Sequence, residues 1–425
     1  MKILIKNATI ITMDDVNKVI YDGNVYIEDK YIVNVTQDLD SEFQADKVID
    51  AHGNVLMPGL INCHTHIAMT ILRNHADDVN LEDWLYNCIF PVEAKMGPQE
   101  VYYGAKLGML EMIASGTTTF LDMYFQEAQV AKAASEVNIR AFLGTGVTGD
   151  SLERNLQETR DLYNKYKDSD LVQGIVSPHS VYTNDEKDLV ACSQLLKELD
   201  CLHTIHLNES SAEVKNAIAK YGINSLQEAY KTGNLTNKTV VAHGVHLTQD
   251  DIELVKQVGC SIAHNPCSNL KLSSGILPVA QLLDDGVNVC LGTDGAASNN
   301  NLDMFEEMKF ASLIQKGVYS DPVLLPAWET LKMATVNGAK ALHMQESLGK
   351  VEPGYLADLI LVDINNINHT PKANIINSLV YSTNSKDVYT TIINGKIVYE
   401  DRVFKTADVT ELINKVNDLY SNLIK

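Results

Sequence analysis

Eight side chains able to bind a metal or move a proton stand at the ends of apolar runs. They are His64, His66, His179, His206, Glu209, His243, His264 and Asp294. Neutral imidazole nitrogens and carboxylate oxygens are zinc donors, and three imidazoles with one carboxylate leave a coordination position for water. Iron and manganese take the same donors, so the donor types do not choose the metal. A single His-x-His such as His64-Thr65-His66 is weak evidence, and each histidine alone reads better as a hydrogen-bonded core residue than as a ligand. Taken together, the group points to one metal centre with acid–base groups beside it.

Such a centre needs elements that bring distant residues to one place. Side chains two apart share a face of a strand, so His64 and His66 are expected to point together, with Cys63 and Thr65 turned outward. The same alternation pairs His206 with Thr204 and turns His203 away. The apolar runs LMPGLINCHTH, GTTTFLDMY, IRAFLGTGV, LVQGIVSPHS, CLHTIHLNES, TVVAHGVHL, GCSIAHNP and VNVCLGTDG are separated by helical patterns such as PQEVYYGAKLGMLEMIASG. Eight strand–helix repeats across residues 59–345 predict a (β/α)8 TIM barrel, which gathers functional residues at the C-terminal ends of its strands.

Both ends of the chain carry a different pattern. Short alternating runs fill residues 1–58, and GYLADLILVDI with a hairpin turning at Asn394-Gly395 follows in 346–425. They predict one small discontinuous β-sandwich domain formed by both termini. The last segment, TADVTELINKVNDLYSNLIK, has helical spacing and is expected to form an amphipathic helix. His52, His75, His343 and His369 lie away from the strand ends and read as ordinary loop or surface residues. His246 reads as structural, and His264 either lines the site or braces the loop after it.

The 425 residues are 45% hydrophobic, enough for a barrel-sized core. No apolar run is long enough to span a membrane. A formal net charge of −21 argues against nucleic acid or an anionic membrane as partner and is neutral toward a small uncharged substrate. Seven cysteines without a Cys-x-x-Cys pair fit a reduced, cytoplasmic protein. Oligomeric state is left open, a homo-oligomer included.

PGLINCHTH, HLNES, VAHGVHL, AHNPCSNLKLSSGILP and LGTDGAASNNNLDMFEEM together resemble the metal-dependent amidohydrolase superfamily. Within it they look like the subgroup that deaminates methylthioadenosine and S-adenosylhomocysteine, and the resemblance covers nearly the whole chain. It implies that His64, His66, His206 and Asp294 hold one divalent metal, Zn2+ before Fe2+ or Mn2+. The two-metal branch uses a lysine on the fourth strand, where LVQGIVSPHS offers only His179. Glu209 matches the acid–base glutamate that would protonate N1 of adenine. Asp294 would take the proton of the attacking water, and His243 would orient that water. The implied reaction converts the adenine of a 5′-modified adenosine to hypoxanthine and releases ammonia.

The resemblance also implies substrate contacts. Trp84 and Glu93 match a segment that reaches the ribose, His179 would bond the purine, and Ser298 would touch it too. One departure stands out. Relatives acting on S-adenosylhomocysteine carry arginines facing its carboxylate, and here Thr145 and Ser151 stand at the matching positions. Arg140 lies earlier on the strand and Arg154 a turn later, and either compensates only if the loop differs. The expectation therefore shifts toward methylthioadenosine, 5′-deoxyadenosine or adenosine. Other readings are a superfamily hydrolase acting on guanine, cytosine, a pterin or a chlorotriazine, and a barrel that binds nucleosides without chemistry.

Overall fold

The computed structural model describes residues 1–16, 18–79 and 81–425. Among the described residues, seventeen strands form two sheets. The first five are β1 (Lys2–Ile11), β2 (Val19–Glu28), β3 (Tyr31–Thr36), β4 (Lys47–Asp50) and β5 (Val55–Pro58). Then come β6 (Leu60–Thr65), β7 (Thr117–Tyr124), β8 (Arg140–Val147), β9 (Val172–Pro178), β10 (His203–Leu207), β11 (Thr239–His243), β12 (Ser261–His264) and β13 (Asn288–Leu291). The last four are β14 (Leu359–Val362), β15 (Val388–Ile393), β16 (Lys396–Glu400) and β17 (Val403–Phe404).

Strands β6 to β13 pair in sequence order, each parallel to the next, with helices between them. The ring closes between β13 and β6 through single bonds, Asp294 N–H to the His64 carbonyl at 3.0 Å and Thr293 N–H to Asn62 Oδ1 at 3.1 Å. Eight parallel strands thus make the expected barrel. Ile61, Leu121, Phe142, Ile175, Val240 and Cys290 pack against one another inside its N-terminal end, and Leu342, Leu348 and Leu356 cover them from below. That floor is apolar and closed, so the polar strand ends at the other rim are left to shape the cavity.

The remaining nine strands form one mixed sheet in the order β17-β16-β15-β14-β5-β1-β2-β3, with β4 pairing to β1. β1 joins its two arms, pairing with β4 through residues 3–6 and with β5 through Thr9 and Ile10. Side chains of both arms, among them Ile5, Ile27, Leu359 and Ile392, share one apolar core. Arg140 ties barrel to sheet. Its guanidinium grips both oxygens of the buried Asp358 carboxylate, at 2.9 and 3.1 Å, and Asp358 also accepts from the turn residue Asn394 at 2.7 Å.

The C-terminal helix, Val409–Leu423, forms as its spacing predicts. Its stripe of Leu412, Val416, Leu419 and Leu423 leaves the sheet and packs with the barrel helix Pro98–Ala114, whose apolar residues offer the partner that the stripe needs. Among the described residues, no helix is long and apolar enough to cross a membrane.

Candidate active site

The polar rim is built where strands end and the chain must turn sharply. Asn208, His243 and Asp294, each just at or past a strand end, all adopt left-handed backbone, with φ of 51°, 68° and 58°. Non-glycine residues pay about 1–3 kcal/mol for such strain and keep it only where surrounding bonds enforce it. Those bonds are present. Asn208 reaches the His246 carbonyl at 3.2 Å and the Leu226 amide at 3.1 Å, and Asp294 is held through His64 and through Thr65, whose hydroxyl donates to its carbonyl at 3.0 Å.

His64, His66, His206 and Asp294 meet at the base of the cavity. Asp294 Oδ1 lies 3.5 Å from His64 Nε2 and 3.2 Å from His66 Nε2. Its other oxygen, Oδ2, accepts from the hydroxyls of Ser268 at 2.7 Å and Ser298 at 2.9 Å. His66 Nδ1 donates to the Met123 carbonyl and His206 Nδ1 to the His179 carbonyl. In the neutral rings the Nε2 atoms carry the lone pairs, and these face each other at 3.2 Å. Both nitrogens of His64 are buried without a hydrogen-bond partner.

Two lone pairs aimed at one point repel unless a cation lies between them, and a buried imidazole without partners costs free energy. A divalent metal satisfies the facing Nε2 atoms and one nitrogen of His64 together, so the residues present fit one. Electrostatics agree. Burial would lower His66, but Asp294 outweighs it and the ring is pushed up to about 9, so positive charge is favoured at that point. Burial brings His64 down to about 4 despite Asp294, leaving it neutral. Burial alone would raise Asp294, but His64 and His66 hold it well below the usual carboxylate range.

Strand alternation fails at one point. Pairing of β6 with β7 shifts register between Asn62 and Thr65, and Cys63 packs with the interior floor residues Leu121, Phe142 and Cys290 instead of turning outward. The irregularity at the strand end lets His64 and His66 converge without a regular two-residue repeat. His203 does face away, beside Asn234.

Above the cluster opens a cavity of about 520 Å³, lined by His66, His179, His206, Glu209, His243 and Asp294 at its base. Its size is that of a site for a small organic ligand. His243 Nδ1 lies 2.8 Å from Asn269 Oδ1 and 3.3 Å from Asn265 Nδ2; the shorter contact assigns the proton to Nδ1 and leaves Nε2 as an acceptor. Glu209 Oε2 stands 3.9 Å from that Nε2. Burial drives His179 down to about 3, with His66 and His64 adding to it, so it enters the cavity as a neutral ring.

The wall includes Trp84 and Glu93, which arrive on helical turns. The Trp84 indole N–H is buried with no partner. Glu93 accepts from the Tyr124 hydroxyl, and burial raises its carboxyl against that bond. Ser298 is elsewhere: it is not part of the wall, and its hydroxyl serves Asp294. Thr145 also lies off the cavity, whereas Ser151 and Arg154 line it. Among the described residues, Arg154 is the one lining side chain with a permanent positive charge; it donates to Ser151 Oγ at 3.0 Å. Arg140, committed to Asp358, is remote.

Tyr124, Tyr182, Thr148, Asn269 and Ser274 were not singled out by the sequence, although Asn269 and Ser274 lie inside the motif AHNPCSNLKLSSGILP. His264 is buried beside the site without lining the cavity. His369 is not a surface residue, being buried between Ser378 and Asp387.

Comparisons with known proteins agree with this geometry. The sequence model of the amidohydrolase family matches residues 55–398. A 5-methylthioadenosine/S-adenosylhomocysteine deaminase of Thermoanaerobacter pseudethanolicus is 43% identical over 431 residues, covering 100% of both chains. One of Thermococcus sibiricus is 45% identical over 404 residues, covering 94% of each. The crystal structure of an adenosine deaminase from Xanthomonas campestris with bound zinc matches with a TM-score of 0.96 at 31% identity, covering 99% of this chain and 98% of that one.

Proposed function

This chain belongs to the amidohydrolase family, and we propose from that premise that it is a hydrolytic deaminase of 5′-modified adenosines. It replaces the 6-amino group of the adenine by oxygen and releases ammonia. The observation that carries this reading is the convergence of a metal-ready cluster with Glu209 and His243 on one cavity floor. Zn2+, as a single ion, is the metal proposed for His64, His66, His206 and Asp294. When bound there it would polarise a water and lower that water's proton affinity.

The protein groups divide the rest of the work. Asp294, ionised and held by two serine hydroxyls, takes the proton of the attacking water. His243 orients that water through its accepting Nε2. Glu209, protonated, donates to N1 of the adenine and so makes C6 electrophilic. A bond forms from the water oxygen to C6, the C6–N bond breaks, and the amino group leaves as ammonia after receiving a proton. Glu93 accepts from the ribose hydroxyls, Trp84 flanks the sugar, and His179 bonds the purine ring.

The 5′ end of the substrate would lie toward Ser151 and Arg154. Arg154 is well exposed, with 69% of its side chain accessible, and ion pairs of that kind contribute about 0.2–1 kcal/mol. A carboxylated tail therefore gains little here. Methylthioadenosine, 5′-deoxyadenosine and adenosine are the proposed preferred substrates, with S-adenosylhomocysteine accepted. The seven cysteines are all unpaired, in keeping with the cytoplasmic setting we infer. The test is to incubate metal-loaded protein with methylthioadenosine, following ammonia and the adenine-to-hypoxanthine absorbance change. Absence of ammonia from every 5′-modified adenosine would overturn the reading.

A further inference from the structure

The residue before Glu209 is held, and Glu209 itself is anchored at both ends. Its main-chain N–H donates to Glu213 Oε2 at 2.8 Å, and that of Asn208 donates to Glu213 Oε1 at 3.0 Å. These bonds fix where the side chain starts. Its far end is fixed by Ser274, whose hydroxyl donates to Glu209 Oε1 at 3.1 Å. The other oxygen, Oε2, is the one toward His243.

Ser274 is itself clamped. It is buried, and its N–H donates to the Asn269 carbonyl at 2.8 Å. His246 Nε2 donates to its carbonyl at 2.6 Å. The following residue, Gly275, has φ of 129°, and a Cβ there would lie 2.9 Å from Val245 Cγ1 and 3.4 Å from His246 Nε2. The loop is thus pressed onto the turn after β11. Asn269, one turn earlier, receives His243 Nδ1–H. One loop therefore sets the orientation of both Glu209 and His243.

We infer that Ser274 is a positioning residue for the proton transfer, and that His246 holds it in place. With a donor already at Oε1, Oε2 is the oxygen left free for proton transfer. The bond holds the carboxyl in one orientation, and its ionised form, left after donation, keeps a hydrogen bond. This inference rests on the proposed deaminase reading for its kinetic consequence, but its structural half stands apart from it.

The test uses full-length, metal-quantified protein. Ser274→Ala should lower kcat on methylthioadenosine about tenfold to a hundredfold, the effect of losing a hydrogen bond to a charged group. KM and metal content should stay within about twofold, since no binding contact is removed. Ser274→Thr, which keeps the hydroxyl, should recover most of the loss. His246→Leu should behave like Ser274→Ala, and His246→Gln, which can still donate to the carbonyl, should not. An unchanged kcat in Ser274→Ala, or a fall that tracks lost metal, would overturn the inference. A crystal structure of Ser274→Ala decides independently of activity: the Glu209 carboxylate should rotate, and an unmoved carboxylate refutes the positioning role. Wild-type protein that deaminates no adenosine relative would defeat the functional reading alone, and the crystal comparison would still decide the role of Ser274.

Discussion

His66 and His206 present their Nε2 atoms to each other across 3.2 Å, because each donates its Nδ1 proton to a main-chain carbonyl. A proton on His66, which Asp294 favours, or a bound cation relieves that opposition. The proposed metal would sit between them, with Asp294 Oδ1 3.2 Å from His66 Nε2 and the buried His64 beside it.

Metal removal should therefore be a stability event. A ligand present at about a thousand times its dissociation constant stabilises the folded state by about 4 kcal/mol. Chelation should lower Tm by several degrees, and added Zn2+ should restore it. In His206→Ala the chelator should change nothing. Identical melting of wild-type protein with and without chelator would count against the metal site.

Glu209 stands apart from the metal-ready cluster, so its two roles can be separated. Glu209→Gln keeps the shape and the bond to Ser274 but cannot donate a carboxyl proton. Metal content should match wild type, and kcat should fall about 10²–10⁴-fold, the usual worth of a general acid–base group. Full activity in this variant would remove Glu209 from the mechanism.

Arg154 allows a prediction about selectivity. Since exposed ion pairs are worth about 0.2–1 kcal/mol, Arg154→Ala should raise KM for S-adenosylhomocysteine no more than about fivefold. KM for methylthioadenosine, which has no carboxylate, should not move. A loss of two orders of magnitude on the carboxylated substrate would show that Arg154 grips the tail far more tightly than its exposure implies.

The barrel was legible because it depends on local rules: an apolar run, a polar residue at its end, and eight repeats of that unit. The choice of four metal ligands among those polar ends came from the family resemblance. Alternation was less reliable where hydrogen-bond register shifts. Cys63 turned inward for that reason, and no one-dimensional pattern records the slip between Asn62 and Thr65. Ser298 was legible as part of the motif but not in its role, because its hydroxyl meets a carboxylate four residues earlier instead of the cavity. Ser274 and His246 were invisible as a pair, since their bond joins two loops that only the closed barrel brings together. The terminal helix was legible in its period, while its partner depended on which apolar face lay within reach.

Glu307 offers a test of the rim that avoids the metal. It is fully buried on the helix Met304–Tyr319 and accepts from the Cys267 amide at 3.2 Å and the Asn299 side chain at 2.5 Å. It thereby joins the two loop regions whose short helices, Pro266–Lys271 and Ala296–Asn299, carry Ser268 and Ser298. Burial pushes its carboxyl up from 4.5 to about 8, against those bonds. Below the unfolded value both states are protonated, and the contribution is fully present. As pH rises from there toward about 8, the unfolded chain has released the proton and the folded one has not, so stability must fall. The slope for one group is at most about 1.4 kcal/mol per pH unit. Glu307→Gln cannot titrate, so in metal-loaded protein its Tm should fall less than that of wild type between about pH 5 and 8. Parallel curves for the two proteins would show that Glu307 is ionised in the folded state, and that the two loops are held by a buried charge rather than a neutral carboxyl.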